Sequence, residues 1–319
     1  MNVELLIASN NKLYQPIVEE GIQWTTERVG SPSTLKFTVI KDDVISFQEG
    51  DAVRMKVEGQ EVFFGFVFTK KRNKEHHIEV TAYDQLRYLK NKDTYVYENK
   101  TASQVIQMIA NDFKLNLGTV EQTSFIIPSR VEDNQSLFDI IQNALDEELK
   151  NKGELFCLYD KFGKLTLQNI ASMKLDLLID TGSAEDFDYT SSIDQNTYNK
   201  VKLTYDNEDA GEREVYITQD SANQNQWGVL QYFEKLQKGE NGKAKADTLL
   251  KLYNQKTRNL KVNNCFGDVR CRAGTLVPVQ LYLGDISVSN YLLVEKATHT
   301  FKNNQHLMSL NLRGGEFVV

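Results

Sequence analysis

Few side chains in this 319-residue sequence are spaced to do chemistry, and each such grouping has a plainer reading. His76 and His77 sit beside Lys74 and Glu75 in a polar stretch between two strand-like runs. A metal there would lack cysteine or carboxylate ligands at useful spacing, so a solvated hairpin tip is expected. His299 and His306 flank the last hairpin seven residues apart. Antiparallel pairing would bring them together as ordinary strand histidines. Cys157, Cys265 and Cys271 are odd in number and contain no CxxC, which argues for isolated reduced thiols over a disulfide framework or a zinc cluster. Asp146, Glu147 and Glu148 follow a helical apolar stripe and read as a solvated acidic face, because acid/base chemistry on a sugar needs two carboxylates across a cleft. No HExxH, GxSxG or phosphate-binding glycine loop occurs. No catalytic, metal or cofactor site is assigned, and a non-enzymatic protein is expected.

Two tryptophans, Trp24 and Trp227, read as buried strand residues, with exposed sugar-binding aromatics as the alternative. The run Lys70-Lys71-Arg72-Asn73-Lys74 reads as a basic hairpin tip able to touch an acidic partner.

Composition sets the frame for these residues. A chain that is 40% hydrophobic and 25% charged folds, and this length suggests about two domains. Asp plus Glu total 44 against 37 for Lys plus Arg, and the resulting net charge of −7 disfavours sequence-specific nucleic-acid binding. No apolar run approaches the ~18 residues of a membrane helix and no basic leader precedes one, so neither membrane insertion nor export is expected. Four prolines with 14 tyrosines and 16 phenylalanines bias the chain towards strands.

The first ninety or so residues alternate with period two, clearest at Val53, Met55, Val57, then Phe64, Phe66, Phe68, then Ile78, Val80, Ala82, each trio expected to face inward. From Thr101 the period becomes helical through Ala102, Val105, Ile106, Ile109, Ala110 and Phe113, with Gln104 completing a capping box. A second helix starts near Ser136 and stops at Gly153. Short strands follow at 154–159 and 164–170. Strands resume at 198–205, 214–218 and 227–233. After the linker-like loop 238–243 and a helix carrying Ala246, Leu249, Leu250 and Tyr253, further strands run near 259–266, 276–283, 291–301 and 306–312. The expected fold is mainly β with an α+β middle. Its parts are a first antiparallel β-barrel over 1–94, a small α+β domain over 95–185 and a second barrel over 186–319, with an inserted loop and helix at about 238–256.

The two β regions match in the order of their parts. Gly50 is followed at +3, +5 and +7 by Val53, Met55 and Val57, then by an aromatic strand through Gly65 and a hairpin return. Gly274 is followed likewise by Val277, Val279 and Leu281, then by 291–294 and a return through Leu310. Gly50, Val53, Gly65, Gly274, Val279 and Leu310 are therefore the expected structural-motif residues. An internal duplication would give one chain two similar faces, and three chains six.

Those residues carry a resemblance. The run Gly50-Asp51-Ala52-Val53 through Phe64-Gly65-Phe66-Val67, then Val80-Thr81-Ala82-Tyr83-Asp84-Gln85-Leu86 and Thr101-Ala102-Ser103-Gln104-Val105-Ile106, is similar to the XkdQ-like hub proteins of contractile phage tails. So are Gly274-Thr275-Leu276-Val277-Pro278-Val279, the strand 291–301 and His306-Leu307-Met308-Ser309-Leu310-Asn311-Leu312. The resemblance spans nearly the whole chain. It implies a baseplate component of a phage, defective prophage or R-type bacteriocin, in the wider group of myovirus tail hubs and late control protein D, assembled in the bacterial cytoplasm. It further implies a homotrimer whose two tube-like barrels per chain adapt a sixfold tail tube to a threefold spike, with tape measure and wedge proteins as further partners. The alternatives are a tail-associated cell-wall hydrolase and a carbohydrate-binding tail component.

Overall fold

The computed structural model describes residues 1–180, 182–183, 185–208, 210–282 and 287–314. The chain opens with β1 (Val3–Ser9), β2 (Lys12–Tyr14), β3 (Ile22–Glu27), β4 (Thr34–Ile40), β5 (Ala52–Val57), β6 (Gln60–Arg72) and β7 (His77–Tyr83). The middle holds β8 (Lys92–Lys100), α1 (Ala102–Asp112), β9 (Leu117–Val120), β10 (Ile127–Ser136), α2 (Leu137–Lys152), β11 (Phe156–Asp160) and β12 (Leu165–Asn169). Next come β13 (Ile179–Asp180), β14 (Asp186–Ser192), β15 (Lys200–Asn207), β16 (Glu212–Gln219), α3 (Ser221–Trp227), β17 (Gln231–Lys235) and α4 (Gly242–Tyr253). The chain returns through β18 (Thr257–Phe266), β19 (Leu276–Tyr282), β20 (Ser287–Lys302) and β21 (Gln305–Gly314). Leu283, the expected end of its strand, lies outside the described residues.

The mainly β class holds, but the two expected barrels do not appear as closed cylinders. Thirteen strands form one sheet in the order β14-β18-β21-β20-β3-β4-β7-β6-β5-β1-β2, with β13 and β19 attached beside β20. The reason lies in β20. Over 287–293 one of its edges pairs with β19, and over 296–301 the same edge passes to β3. The edge of β3 that could have closed the first half is thus satisfied by the second half, because an unpaired strand edge takes whichever partner lies against it.

Each half still curls around its own interior. Leu5 and Ile7 of β1 share a core with Trp24 of β3, Leu35, Phe37 and Val39 of β4, and the inward residues of β5 to β7. A second core gathers Leu260, Val262, Val277, Val279, Leu281, Val294, Leu310 and Leu312. Alternation along these strands makes one face apolar, as a half-covered sheet requires.

One trio faces the other way from expectation. Phe63, Gly65 and Val67 point into the first core, while Phe64, Phe66 and Phe68 lie on the opposite face. Both faces of β6 are apolar, so period two could not choose between them; pairing of Val53 with Gly65 does. The outer aromatics are covered by the middle unit. Phe162 sits 5.8 Å from Phe64, Tyr88 sits 6.5 Å from Phe66, and Arg87 lies 5.4 Å above the Phe68 ring.

That middle unit forms as its caps dictate. Thr101 accepts from the Gln104 backbone N–H and the Gln104 side chain accepts from the Thr101 N–H, which closes the capping box of α1. Ser136 caps α2, and Gly153, at φ 74°, ends it in the left-handed conformation. Their apolar stripes meet β8, β10, β11 and β12 in a third core. The chain rejoins the large sheet ahead of residue 185: Lys174 bridges to Leu276, and β13 runs parallel to β19.

The segment set apart from the large sheet is wider than 238–256. β15, β16 and β17 pair only with one another, and Val201, Leu203 and Leu236 pack on Ala246 and Leu249 of α4. Trp227 ends the short helix α3 and does not start a strand.

Two substitutions test the register. A Cβ on Gly65 would lie 2.3 Å from the Tyr83 carbonyl oxygen, so Gly65→Ala is expected to cost at least about 1–3 kcal/mol, read as a lowered midpoint in thermal or urea unfolding. Val279 is 2% exposed, and Val279→Asp, which buries an unpaired charge, is expected to leave no folded protein after expression. A soluble, cooperatively folding Asp variant would contradict the strand register.

Candidate interaction edges and buried polar centres

A matched clamp holds each half of the sheet. The Gly50 N–H donates to the Val67 carbonyl at 2.8 Å while the Val67 N–H donates to the Asp51 carbonyl at 2.9 Å. In the other half, Gly274 donates to Val294 at 2.8 Å and Val294 to Thr275 at 2.9 Å. Gly50 and Gly274 take φ of 91° and 96°, a conformation that only glycine adopts without strain. A bulge follows each clamp, between Val67 and Thr69 and between Val294 and Lys296. Val53 and Leu310 are fully buried, and Val279 nearly so, each in the core of its own half. A Cβ on Gly274 would lie 2.5 Å from Cys157 Sγ, so this glycine also lets β11 approach.

The strand order repeats as well: β3-β4-β7-β6-β5-β1 in one half, β14-β18-β21-β20-β19-β13 in the other. The registers agree, since Leu35 faces Ala82, which faces Val67, while Leu260 faces Leu312, which faces Val294. One difference is that β1 runs antiparallel to β5 whereas β13 runs parallel to β19.

The seam between the halves carries the histidines. His299 on β20 pairs with Trp24 on β3, and their rings stack 4.8 Å apart. His299 Nδ1 and His306 Nε2 are 2.8 Å apart, and His299 Nε2 lies 2.7 Å from the Cys271 carbonyl. Trp24 is buried and its Nε1–H donates to Ser33 Oγ at 2.8 Å. Burial, reinforced by the neighbouring His306, pushes the His299 imidazole down to about 3. Burial likewise pushes His306 down to about 4.

A second polar centre joins all three parts of the chain, and no spacing in the sequence announces it. Asp84 accepts from the N–H groups of Ser33 and Leu86, each at 3.0 Å. Asp160 accepts from Gln85 Nε2 at 2.7 Å and from the Gly163 N–H at 2.6 Å. Arg272 donates to the Asp160 carbonyl at 2.9 Å and lies 4.0 Å above the Tyr159 ring. Burial, with the Asp160 charge beside it, holds the Asp84 carboxyl well above the usual range, and burial raises Asp160.

A family model described as YQBQ-like matches residues 22–313. The chain belongs to the YqbQ-like family. It is 28% identical over 320 residues to the phage-like element PBSX protein XkdQ of Bacillus subtilis, covering 97% of this chain and 96% of that protein. Its fold is similar to the 43 kDa tail protein of prophage MuSo2 from Shewanella oneidensis, with TM-score 0.68 at 13% identity, covering 97% and 98% of the two chains. It is also similar to the E. coli c3393 protein, a type VI secretion component described as structurally similar to T4 phage tail proteins gp27 and gp5. That match has TM-score 0.57 at 10% identity and covers 98% of this chain and 77% of that one. The chain thus shares its fold with these tail and secretion-system proteins.

Other expected positions in this YqbQ-like chain fall out differently. Glu147 and Glu148 are buried, not solvated: Glu148 accepts from Ser124 and Phe125, and Glu147 pairs with Arg130 at 2.9 Å. α2 is covered on this side by α4, whose buried Lys245 reaches Glu234 at 2.8 Å and Glu240 at 2.6 Å. His76 and His77 lie at the β6–β7 tip, and His77 Nδ1 is 2.5 Å from Glu19. The three cysteines are free and buried. Among the described residues no group of three or more His, Cys, Asp or Glu could hold a metal, and no helix is long and apolar enough to cross a membrane.

The histidine pair makes stability depend on pH. An unfolded chain protonates these rings near 6.5, whereas the folded chain resists until about 3 to 4, so protonation favours unfolding. The pair's contribution is complete above pH 6.5 and drains as pH falls towards 4. Thermal midpoints measured from pH 7.5 to about 5 are expected to fall for the native protein and to fall less for His306→Gln. Equal slopes would remove the pair as the cause.

Proposed function

We propose that this YqbQ-like chain is a structural hub subunit of a contractile-tail baseplate, a non-enzymatic part that forms a trimeric ring between a sixfold tail tube and a threefold spike. The reading is carried by the two half-sheets, which share one neighbour order and one Gly–Val clamp. Such a pair arises simply by internal duplication, and three chains with two like halves each present six like faces on one side while keeping threefold symmetry on the other. The tube-like role is then performed by curled open sheets that neighbouring chains complete, since exposed edges pair with another chain.

On this reading the tube protein and spike are the main partners, with the tape measure and wedge proteins beside them, and assembly takes place in the bacterial host cytoplasm. The tail-protein neighbours support a structural role over cell-wall hydrolysis. Carbohydrate binding through the two tryptophans loses one of them, since Trp24 is buried.

Light scattering on the purified chain is expected to give the mass of three copies, and with its spike protein the mass of three copies plus the bound spike. A monomer at every concentration under both conditions would remove the trimeric hub. Clearing of peptidoglycan by the isolated chain in a zymogram would replace it with the hydrolase.

A further inference from the structure

The small sheet of β15, β16 and β17 is covered on one face only. Val201 and Leu203 of β15, with Tyr216 and Tyr232 beside them, pack on Ala246 and Leu249 of α4. Alternation turns the intervening residues of these strands away from that helix. Register sets them in rows across the three strands, Ile217, Lys202 and Phe233 in one and Val215, Thr204 and Lys235 in the next. Val215, Ile217 and Phe233 are 48%, 52% and 57% exposed, so large apolar side chains are grouped here where single scattered ones need no explanation.

The charge of this face runs against that of the chain. The whole sequence carries −7, whereas the open face carries Lys200, Lys202, Arg213 and Lys235 against Asp206 alone. Asp206 is taken by Arg213 at 2.5 Å and by Lys235 at 2.6 Å, which leaves Lys200 and Lys202 without an ion pair among the described residues. Lys202 stands between the exposed Ile217 and Phe233. A phosphate backbone would engage the lysines and leave the apolar side chains in water, and a purely apolar partner would bury an unpaired cation. An occupant therefore has to bring apolar side chains and carboxylates together. The covered face has the same chemistry with the charges exchanged: there α4 supplies the cation, Lys245, to Glu234 on β17 and to Glu240 just beyond it.

The dimensions of the face select a helix. Three strands about 4.8 Å apart span about 10 Å, the width of one helix, and the rows from Gln219 to Arg213 run about 20 Å, the length of about 13 helical residues. We infer that this face docks an acidic amphipathic helix of a partner other than this chain. The apolar stripe of that helix covers Val215, Ile217 and Phe233, and its flanking Asp or Glu side chains meet Lys200 and Lys202. With α4 on one side and the partner's helix on the other, the small sheet is enclosed as a sheet with two apolar faces requires. The inference adds a docking site of stated chemistry to the hub reading and does not depend on it, since β15, β16 and β17 pair only with one another.

The test uses a fluorescein-labelled synthetic peptide of about 18 residues, long enough to hold a helix, with leucine along one face and glutamate along the other, and a twin with lysine in place of glutamate. In fluorescence anisotropy with the full chain, the glutamate peptide is expected to bind at least about tenfold more tightly than its twin. A chain of net charge −7 would on overall charge alone prefer the lysine peptide, so the sign of the preference reports this face. Lys200→Glu with Lys202→Glu is expected to reverse the preference, and Phe233→Ser to weaken the glutamate peptide at least about tenfold without a change of charge. Both variants are expected to unfold at the native midpoint, because none of these side chains belongs to the core beneath α4. Equal binding of the two peptides, or binding of the glutamate peptide that neither variant alters, would overturn the inference. If the charge reversal instead changes the mass of the chain alone in light scattering, the face meets a second copy and the inference fails while the hub reading stands.

Discussion

An open strand edge must find a partner, and most of this architecture follows from where its edges are satisfied. Backbone N–H and C=O groups along an edge are too costly to leave bare over many residues, so a curled sheet either closes or joins another. Here β20, sixteen residues long, joins: its first half is held by β19, its second by β3, and β21 runs along the opposite edge. That strand fuses two curled halves into one sheet and fixes their relative position. The histidine pair, Trp24 and the Arg28–Glu295 ion pair at 2.7 Å all lie along that seam.

The middle unit bears on both halves in a related way. It covers the outer face of β6 through Tyr88 and Phe162, and the outer face of β19 and β20 through Leu155, Cys157, Ile170 and Met173, which pack on Leu276 and Leu293. Asp84, Asp160 and Arg272 tie the three parts together at one buried point. Such triple anchoring holds the parts in one arrangement, because no half can tilt without breaking buried hydrogen bonds.

Polar groups that looked solvated in the sequence are often interior. In the acidic run on α2, Glu147 is covered because α4, more than ninety residues further along the chain, lies against it and brings Lys245, while Glu148 is covered by Ser124 and Phe125. Local charge patterning describes a helix surface but not what folds over it. The reversed phase of Phe64, Phe66 and Phe68 has the same origin, since a strand covered on both faces loses the alternation that tells one face from the other.

The sequence alone determined the features that are local: the capping box at Thr101, the stop at Gly153, the Gly50 and Gly274 starts with their apolar residues at +3, +5 and +7, and the resemblance those residues carry. Each depends on the conformational preferences of a few adjacent residues. The tertiary structure alone decided which strand edge meets which. Hydrogen bonding between backbones is indifferent to side-chain identity, so nothing in the residues of β3 states that β20, some 270 positions away, would take its edge and leave both halves open.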